Sequence, residues 1–261
     1  MKLTSALAGL CAGLSLALTA AAPASATTVL YTQNFENPTG FVNRIGDLDY
    51  VPVNNLYGNQ PVGFQFGNTY TVETLLVGGN VAWGGNGYQD PQGRAGRYAI
   101  GMLSTAQDDL LGLSFNVGSY AYLNFQLDIS SIDLNCCSGP FDPGNITAPV
   151  FRISLYDNPT TVVGVGSGTV LDFEDITGTV GPNAYTFDWT NYTVALDATG
   201  NTNGNVTLRI DLLQGGYAAI DNFRIAASDA AGDTGNVPEP ASAALVLLGL
   251  AASAAARRRA G

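Results

Sequence analysis

The feature that most constrains this chain is a two-residue hydrophobic period. Phe151, Ile153 and Leu155 alternate with Arg152, Ser154 and Tyr156. Tyr192, Val194 and Leu196 alternate with Thr193, Ala195 and Asp197, and Val206, Leu208, Ile210 and Leu212 with Thr207, Arg209 and Asp211. Successive side chains of a strand point to opposite faces, so segments of this kind bury one face and wet the other. Further strand candidates run over 28–35, 97–102, 111–116, 120–129 and 219–226. Turn-forming clusters such as Asp142-Pro143-Gly144-Asn145 and the Thr199–Asn205 run punctuate them. No long stretch carries the i, i+3, i+4, i+7 pattern of an amphipathic helix. Eight or more strands predict an all-β domain, a β-sandwich around a single core.

Charge and residue usage then narrow the chemistry. The 261 residues include no His, which excludes Ser-His-Asp and Cys-His catalysis, His-ligated zinc and a histidine pH switch. Four of the ten basic residues, Lys2 and Arg257, Arg258 and Arg259, lie near the termini, so six arginines face twenty carboxylates between Thr27 and Asn236. A domain so poor in positive charge is not built to bind nucleic acid, which requires clustered Lys and Arg against phosphate.

The two ends have their own logic. Met1-Lys2, an apolar run from Leu3 to Ala22, and Ala24-Ser25-Ala26 have the three parts of a secretory signal peptide, with signal peptidase cutting before Thr27. At the other end stand Val237-Pro238-Glu239-Pro240, an uncharged run from Ala241 to Ala256, and Arg257-Arg258-Arg259. Sixteen helical residues reach about 24 Å, short of the ~30 Å hydrocarbon core, so this run suits transient membrane insertion with the arginines cytoplasmic. A plain tail anchor has the same physics. The chain divides into a signal peptide (1–26), a β domain (27–228), a linker (229–236) and the C-terminal segment (237–261).

Pro-Glu-Pro, an apolar helix and terminal arginines, behind a signal peptide, resemble the PEP-CTERM sorting signal of Gram-negative bacteria. The resemblance implies recognition by an exosortase-type transpeptidase, cleavage near Pro238 to Pro240, and release or transfer to the cell surface, in a family associated with exopolysaccharide and biofilm matrix. The β domain carries a second resemblance. Its Asn34-Phe35-Glu36 opening, the Gly96-Arg97-Tyr98-Ala99-Ile100-Gly101 strand and the closing Ile220-Asp221-Asn222 are similar to the galactose-binding-like jelly roll of many carbohydrate-binding modules. The expected architecture is thus a jelly-roll β-sandwich between an N-terminal signal helix and a C-terminal hydrophobic sorting helix. In the resembling modules, the acidic residue after the first strand and the Asp of the last strand converge on a structural Ca²⁺, which implies a metal role for Glu36 and Asp221. Two adjacent carboxylates repel unless a cation neutralises them; the other reading has Asp221 capping a turn and Glu36 in solvent.

Three other segments bear on function. Trp83-Gly84-Gly85-Asn86-Gly87-Tyr88-Gln89-Asp90, with Arg94 and Arg97 close behind, joins aromatic rings that stack on sugar faces to groups that bond sugar hydroxyls. Trp83, Tyr88, Asp90 and Arg94 are the ligand-binding candidates, the competing reading being that Trp83 packs over the core as a lid. Cys136 and Cys137 form a vicinal disulfide, bridge to another chain, or stay free; a turn structured by Ser138-Gly139-Pro140 suits the first. In Leu171-Asp172-Phe173-Glu174-Asp175, strand periodicity sets Asp172 and Glu174 on one face and turns Phe173 inward.

Two functional classes follow. One is a non-enzymatic surface or matrix protein that binds extracellular polysaccharide or serves as a structural module. The other is a secreted polysaccharide hydrolase or lyase working through carboxylates such as Glu174.

Overall fold

A computed structural model describes residues 27–44, 46–58, 60, 65–68, 72–80, 87–103, 109–133, 148–183 and 185–235. Within them the chain forms β1 (Thr27–Gln33), β2 (Leu48–Asp49), the single turn α1 (Val53–Leu56), β3 (Gly67–Asn68), β4 (Glu73–Leu76) and β5 (Tyr98–Leu103). There follow β6 (Leu110–Asn116), β7 (Tyr122–Asp133), β8 (Val150–Asp157), β9 (Val170–Thr177), β10 (Thr190–Asp197), β11 (Asn205–Gln214) and β12 (Tyr217–Ser228).

Two antiparallel sheets face each other, forming a jelly-roll β-sandwich. One is seven-stranded, in the order β10-β7-β12-β5-β4-β2, with β1 also on β12; the other is five-stranded, β3-β6-β11-β8-β9. β12 is the hub of the first. Its one edge pairs along most of its length with β7, while its other edge pairs with β5 over Tyr217–Ile220 and with β1 over Phe223–Ser228. The last strand thereby ties the two ends of the domain together.

The alternation read from the sequence builds the core. Leu123, Phe125, Leu127 and Ile129 of β7 and Ile220, Phe223 and Ile225 of β12 pack with Leu111, Leu113 and Phe115 of β6, Phe151, Ile153 and Leu155 of β8, and Val206, Leu208, Ile210 and Leu212 of β11. Each such side chain, once buried, contributes about 1.5–3 kcal/mol. A second, smaller core lies on the far side of the seven-stranded sheet. There Ala99, Leu103, Ile132, Tyr217 and Ala219, of the opposite parity, are roofed by Tyr88, Ala95, Phe187 and Trp189.

β9 departs from the sequence reading. Its Phe173 was expected to point inward but is 52% exposed. Phe173 pairs with Ser154 and Asp175 with Arg152, on the outer face of the five-stranded sheet. Ile176 is the fully buried β9 residue, with Leu171 packing partly against the core, so Asp172 and Glu174 do share a side, but it is the core-facing side at the sheet edge, where Glu174 is exposed and Asp172 half-buried.

Residues 229–235 are docked on the sandwich. Asn124, fully buried, donates through Nδ2 to Ser228 Oγ (3.0 Å) and to the carbonyls of Ala230 (3.1 Å) and Asp233 (2.9 Å), and its Oδ1 accepts from Gly232 N (2.7 Å). The Arg224 guanidinium donates to the carbonyls of Thr234 (2.7 Å) and Gly235 (3.1 Å), and the Thr27 hydroxyl donates to Asp233. The amino end of β1 and residue 235 therefore leave from one corner. Among the described residues no helix is long and apolar enough to cross a membrane. The segments expected to form the signal-peptide and C-terminal helices, Trp83, Cys136, Cys137, and the sorting residues Val237, Pro238, Glu239, Pro240, Arg257, Arg258 and Arg259 lie outside them.

Candidate functional site

Glu36 and Asp221 are each aimed by an unusual backbone. Phe35 has φ 54° and Asn222 has φ 53°, left-handed values that Asn tolerates and Phe rarely adopts. Phe35 is held there by burial, with edge-on contacts to Tyr57 (5.1 Å) and Phe223 (5.0 Å), and by its N–H donating to Gln33 Oε1 (2.9 Å). The turn sends the Glu36 carboxylate under the 90–97 loop, where it accepts from Arg97 N (2.9 and 3.0 Å) and Tyr98 N (3.2 Å). At Asn222 a bulge breaks the pairing of β12 with β7, leaving Asp221 opposite Asp128.

Asp221 is fully buried. Its Oδ1 accepts from Asn222 N (2.5 Å), while its Oδ2 has no partner. Burial pushes its carboxyl up to about 9, with the charges of Glu36, Asp128 and Asp90 adding to the rise and the Asn222 N–H opposing it. A buried carboxyl oxygen left without a donor, within reach of other negative charges, could take a cation, although no cluster of three or more acidic or Cys ligands forms among the described residues. The 90–97 loop approaches so closely that a Cβ on Gly96 (φ 60°) would fall 2.5 Å from Glu36 Oε1.

Asp90 and Arg94 organise this loop. Asp90 Oδ1 accepts from Gln92 N (3.1 Å) and Gly93 N (3.0 Å), and its Oδ2 accepts from Ala95 N (2.8 Å). Arg94 grips Asp128 in a fork, Nε to Oδ2 (3.1 Å) and Nη2 to Oδ1 (2.7 Å). Asp128, 1% exposed, also accepts from Asn191 Nδ2 (2.8 Å) and Asn222 Nδ2 (2.9 Å). Arg94, Asp128, Asn191 and Asn222, with Gln126, line an open depression of about 360 Å³. The sequence reading missed Asp128 as this hub. Its only signal was an acidic residue between Leu127 and Ile129, at a position whose outward face the loop goes on to cover.

Tyr88 does not fit its expected role. It is fully buried in the second core, stacked on Phe187 (6.1 Å, 12° between planes), so neither face of its ring is open to a sugar. The 185–189 segment that covers it is a hundred residues away in sequence.

An open aromatic ring lies on the other sheet. The Arg152 guanidinium lies 4.6 Å over the Phe173 ring and is locked to Asp175 by two bonds of 2.8 Å. Arg152 in turn holds the Asp175 carboxyl below its usual range. Beside them Arg209 stacks 4.7 Å over the Tyr156 ring. Asp172, which the strand period set on one face with Glu174, accepts from Phe173 N (2.8 Å) and Asp197 N (2.8 Å).

Three solved structures are similar at a distance. The C-terminal family 22 carbohydrate-binding module of Clostridium thermocellum Xyn10B shares 14% identity over 78% of this chain and 96% of that one, with a TM-score of 0.39. A cyclase from Fischerella sp. TAU shares 16% over 78% and 99%, with a TM-score of 0.41. The K3 cleaved adhesin domain of Lys-gingipain from Porphyromonas gingivalis shares 12% over 77% and 99%, with a TM-score of 0.37. Likeness at this level carries no ligand or reaction over to this chain. No curated protein matches the sequence. Residues 236–260 match the PEP-CTERM protein-sorting motif, which implies exosortase processing and marks the chain for export and sorting at the cell envelope or surface.

Proposed function

We propose that the β-sandwich is a non-catalytic module that binds extracellular polysaccharide, delivered outside the cell by its sorting motif after transient anchoring in the inner membrane. The observation that carries this reading is Phe173: a half-exposed phenyl on the outer face of the five-stranded sheet, oriented by Arg152, which Asp175 holds in place. The apolar face of a pyranose stacks on such a ring, and its hydroxyls bond the guanidinium and carboxylate beside it. Asp175 suits binding better than a general-acid role. A glycosidase needs one carboxyl kept protonated near a second that is ionised, whereas Arg152 favours the ionised form of Asp175.

The residues around Asp221 fit a structural Ca²⁺. Glu36 and the unpartnered Oδ2 of Asp221 would supply carboxylate ligands, and backbone carbonyls and water the rest of the six to eight oxygens that Ca²⁺ takes. The ion would neutralise the pair and fasten the end of β1 to β12; it takes no part in a reaction. A role in biofilm matrix follows if the polysaccharide bound is the producing cell's own.

Affinity electrophoresis of the full-length protein through soluble xylan, β-1,4-galactan, β-1,3-glucan and the producing cell's exopolysaccharide tests the reading. At least one should retard it, and Phe173→Ala should weaken that retardation about tenfold, about 1.4 kcal/mol. Unretarded migration in every polymer would reject it.

A further inference from the structure

Among the described residues the large exposed side chains include two aromatic rings, Phe173 at 52% and Tyr50 at 57%. The surroundings of Tyr50 repeat those of Phe173. The Arg44 guanidinium lies 4.6 Å over the Tyr50 ring and donates from Nε to Asp49 Oδ1 at 3.2 Å, as Arg152 does to Asp175 beside Phe173.

This second constellation is built into the fold. Asp49 is fully buried and organises the 42–51 loop, its Oδ2 accepting from Val42 N (2.8 Å) and its Oδ1 from Val51 N (3.1 Å) as well as from Arg44. The Arg44 N–H closes the same loop on Leu48 O (2.9 Å), and Arg44 Nη1 reaches the Tyr50 hydroxyl (3.3 Å). Arg44 thus holds one side of the ring in place, while the ring as a whole remains more than half exposed. A solvated tyrosine at a loop tip would need none of this scaffolding.

The two rings lie far apart. Tyr50 directly follows β2, the last strand at one edge of the seven-stranded sheet; Phe173 is on β9, which packs beside β10 at the opposite edge. Five inter-strand steps separate β10 from β2, about 24 Å at the usual ~4.8 Å spacing.

We propose that Tyr50 and Arg44, held in place by the buried Asp49, form a second polysaccharide-binding site, a ring to stack on and a guanidinium to bond hydroxyls, so that one copy of the protein holds two glycan strands on opposite edges and cross-links them. The proposal rests on the Phe173 reading above. It assigns to the module the work of joining polymers, and bivalence of this kind raises avidity by about 10²–10⁴ on a polymer network.

Calorimetric titration of the full-length protein with hexasaccharides of xylan, β-1,4-galactan, β-1,3-glucan and the producing cell's exopolysaccharide decides it. Two oligosaccharides per chain are expected for the bound type, one in Tyr50→Ala, one in Phe173→Ala and none in the double variant. Tyr50→Phe, which keeps the ring, should retain two. With the corresponding long polymer, the parent should raise turbidity severalfold, and either single alanine variant should abolish that rise while still binding. A stoichiometry of one that Phe173→Ala removes and Tyr50→Ala leaves unchanged overturns the second site and leaves the first intact. Failure of every hexasaccharide to bind overturns both.

Discussion

Replacing Glu73 by Gln should flatten the pH dependence of this protein's stability over a defined window. Glu73 sits on β4 and accepts from the Tyr217 hydroxyl at 2.6 Å. Burial pushes its carboxyl from 4.5 to about 7, the Tyr217 bond opposes the rise, and the charge of Asp109 adds to it. A folded-state value above the unfolded one means that the native protein holds the proton more tightly. The associated stability is fully present below pH 4.5, is lost progressively as pH rises toward about 7, and is gone above it. A rise of about 2.5 units at 1.36 kcal/mol each amounts to about 3 kcal/mol. In a chain of this size that corresponds to a melting shift of roughly 6–12 °C. Glutamine keeps an oxygen for Tyr217 and cannot ionise. Burying its amide N–H₂ group shifts the whole curve by an amount independent of pH, so the informative quantity is the difference between parent and variant as a function of pH. Urea unfolding from pH 4 to 8 should show the parent losing about 3 kcal/mol relative to Glu73→Gln, centred between pH 5 and 7. Parallel curves would show that the Glu73 carboxylate is not destabilised by its surroundings and would refute the reasoning.

Three other substitutions probe separate parts of the account. Calcium should raise the melting temperature over a chelator control by an amount matching up to about 2.7 kcal/mol at a hundredfold excess over Kd, and Asp221→Ala should abolish the increment; superimposed melts with calcium and chelator in the parent would dismiss the ion. Gly96→Ala, whose Cβ meets the Glu36 carboxylate at a positive φ, should reduce the same increment without removing a ligand, and an unchanged increment would place the ion elsewhere. Asn124→Ala leaves the carbonyls of Ala230 and Asp233 without their donor, so it should cost about 2–3 kcal/mol and open residues 229–235 to proteolysis; resistance equal to the parent's would show that Arg224 suffices.

The two-layer β architecture was legible because strand parity is a local property. Phe151, Ile153 and Leu155, and Val206 through Leu212, enter the core as their alternation requires. Parity alone does not say which side of an edge strand is the inner one. The pairing of β8 with β9 shifts register between Leu155 and Tyr156, and Phe173 lies outward while Ile176 lies inward. Tyr88 and Asp128 were obscured for a different reason. Their environments are made by segments distant in sequence: Phe187 and Tyr185 against Tyr88, and Arg94, Asn191 and Asn222 around Asp128. Glu36 and Asp221 were singled out through the likeness of the segments around them, Phe35-Glu36 and Ile220-Asp221-Asn222, to those of carbohydrate-binding modules. The left-handed residues beside them, Phe35 and Asn222, leave no pattern in the sequence by which to find them.

The central claim is that the exported β-sandwich holds polysaccharide on the Phe173 platform. Side-by-side affinity electrophoresis of the full-length parent and its Phe173→Ala variant, in a gel containing the exopolysaccharide of the producing cell, tests it most directly. The account requires retardation of the parent and about tenfold weaker retardation of the variant. Equal mobility of the two in the polysaccharide gel would contradict it.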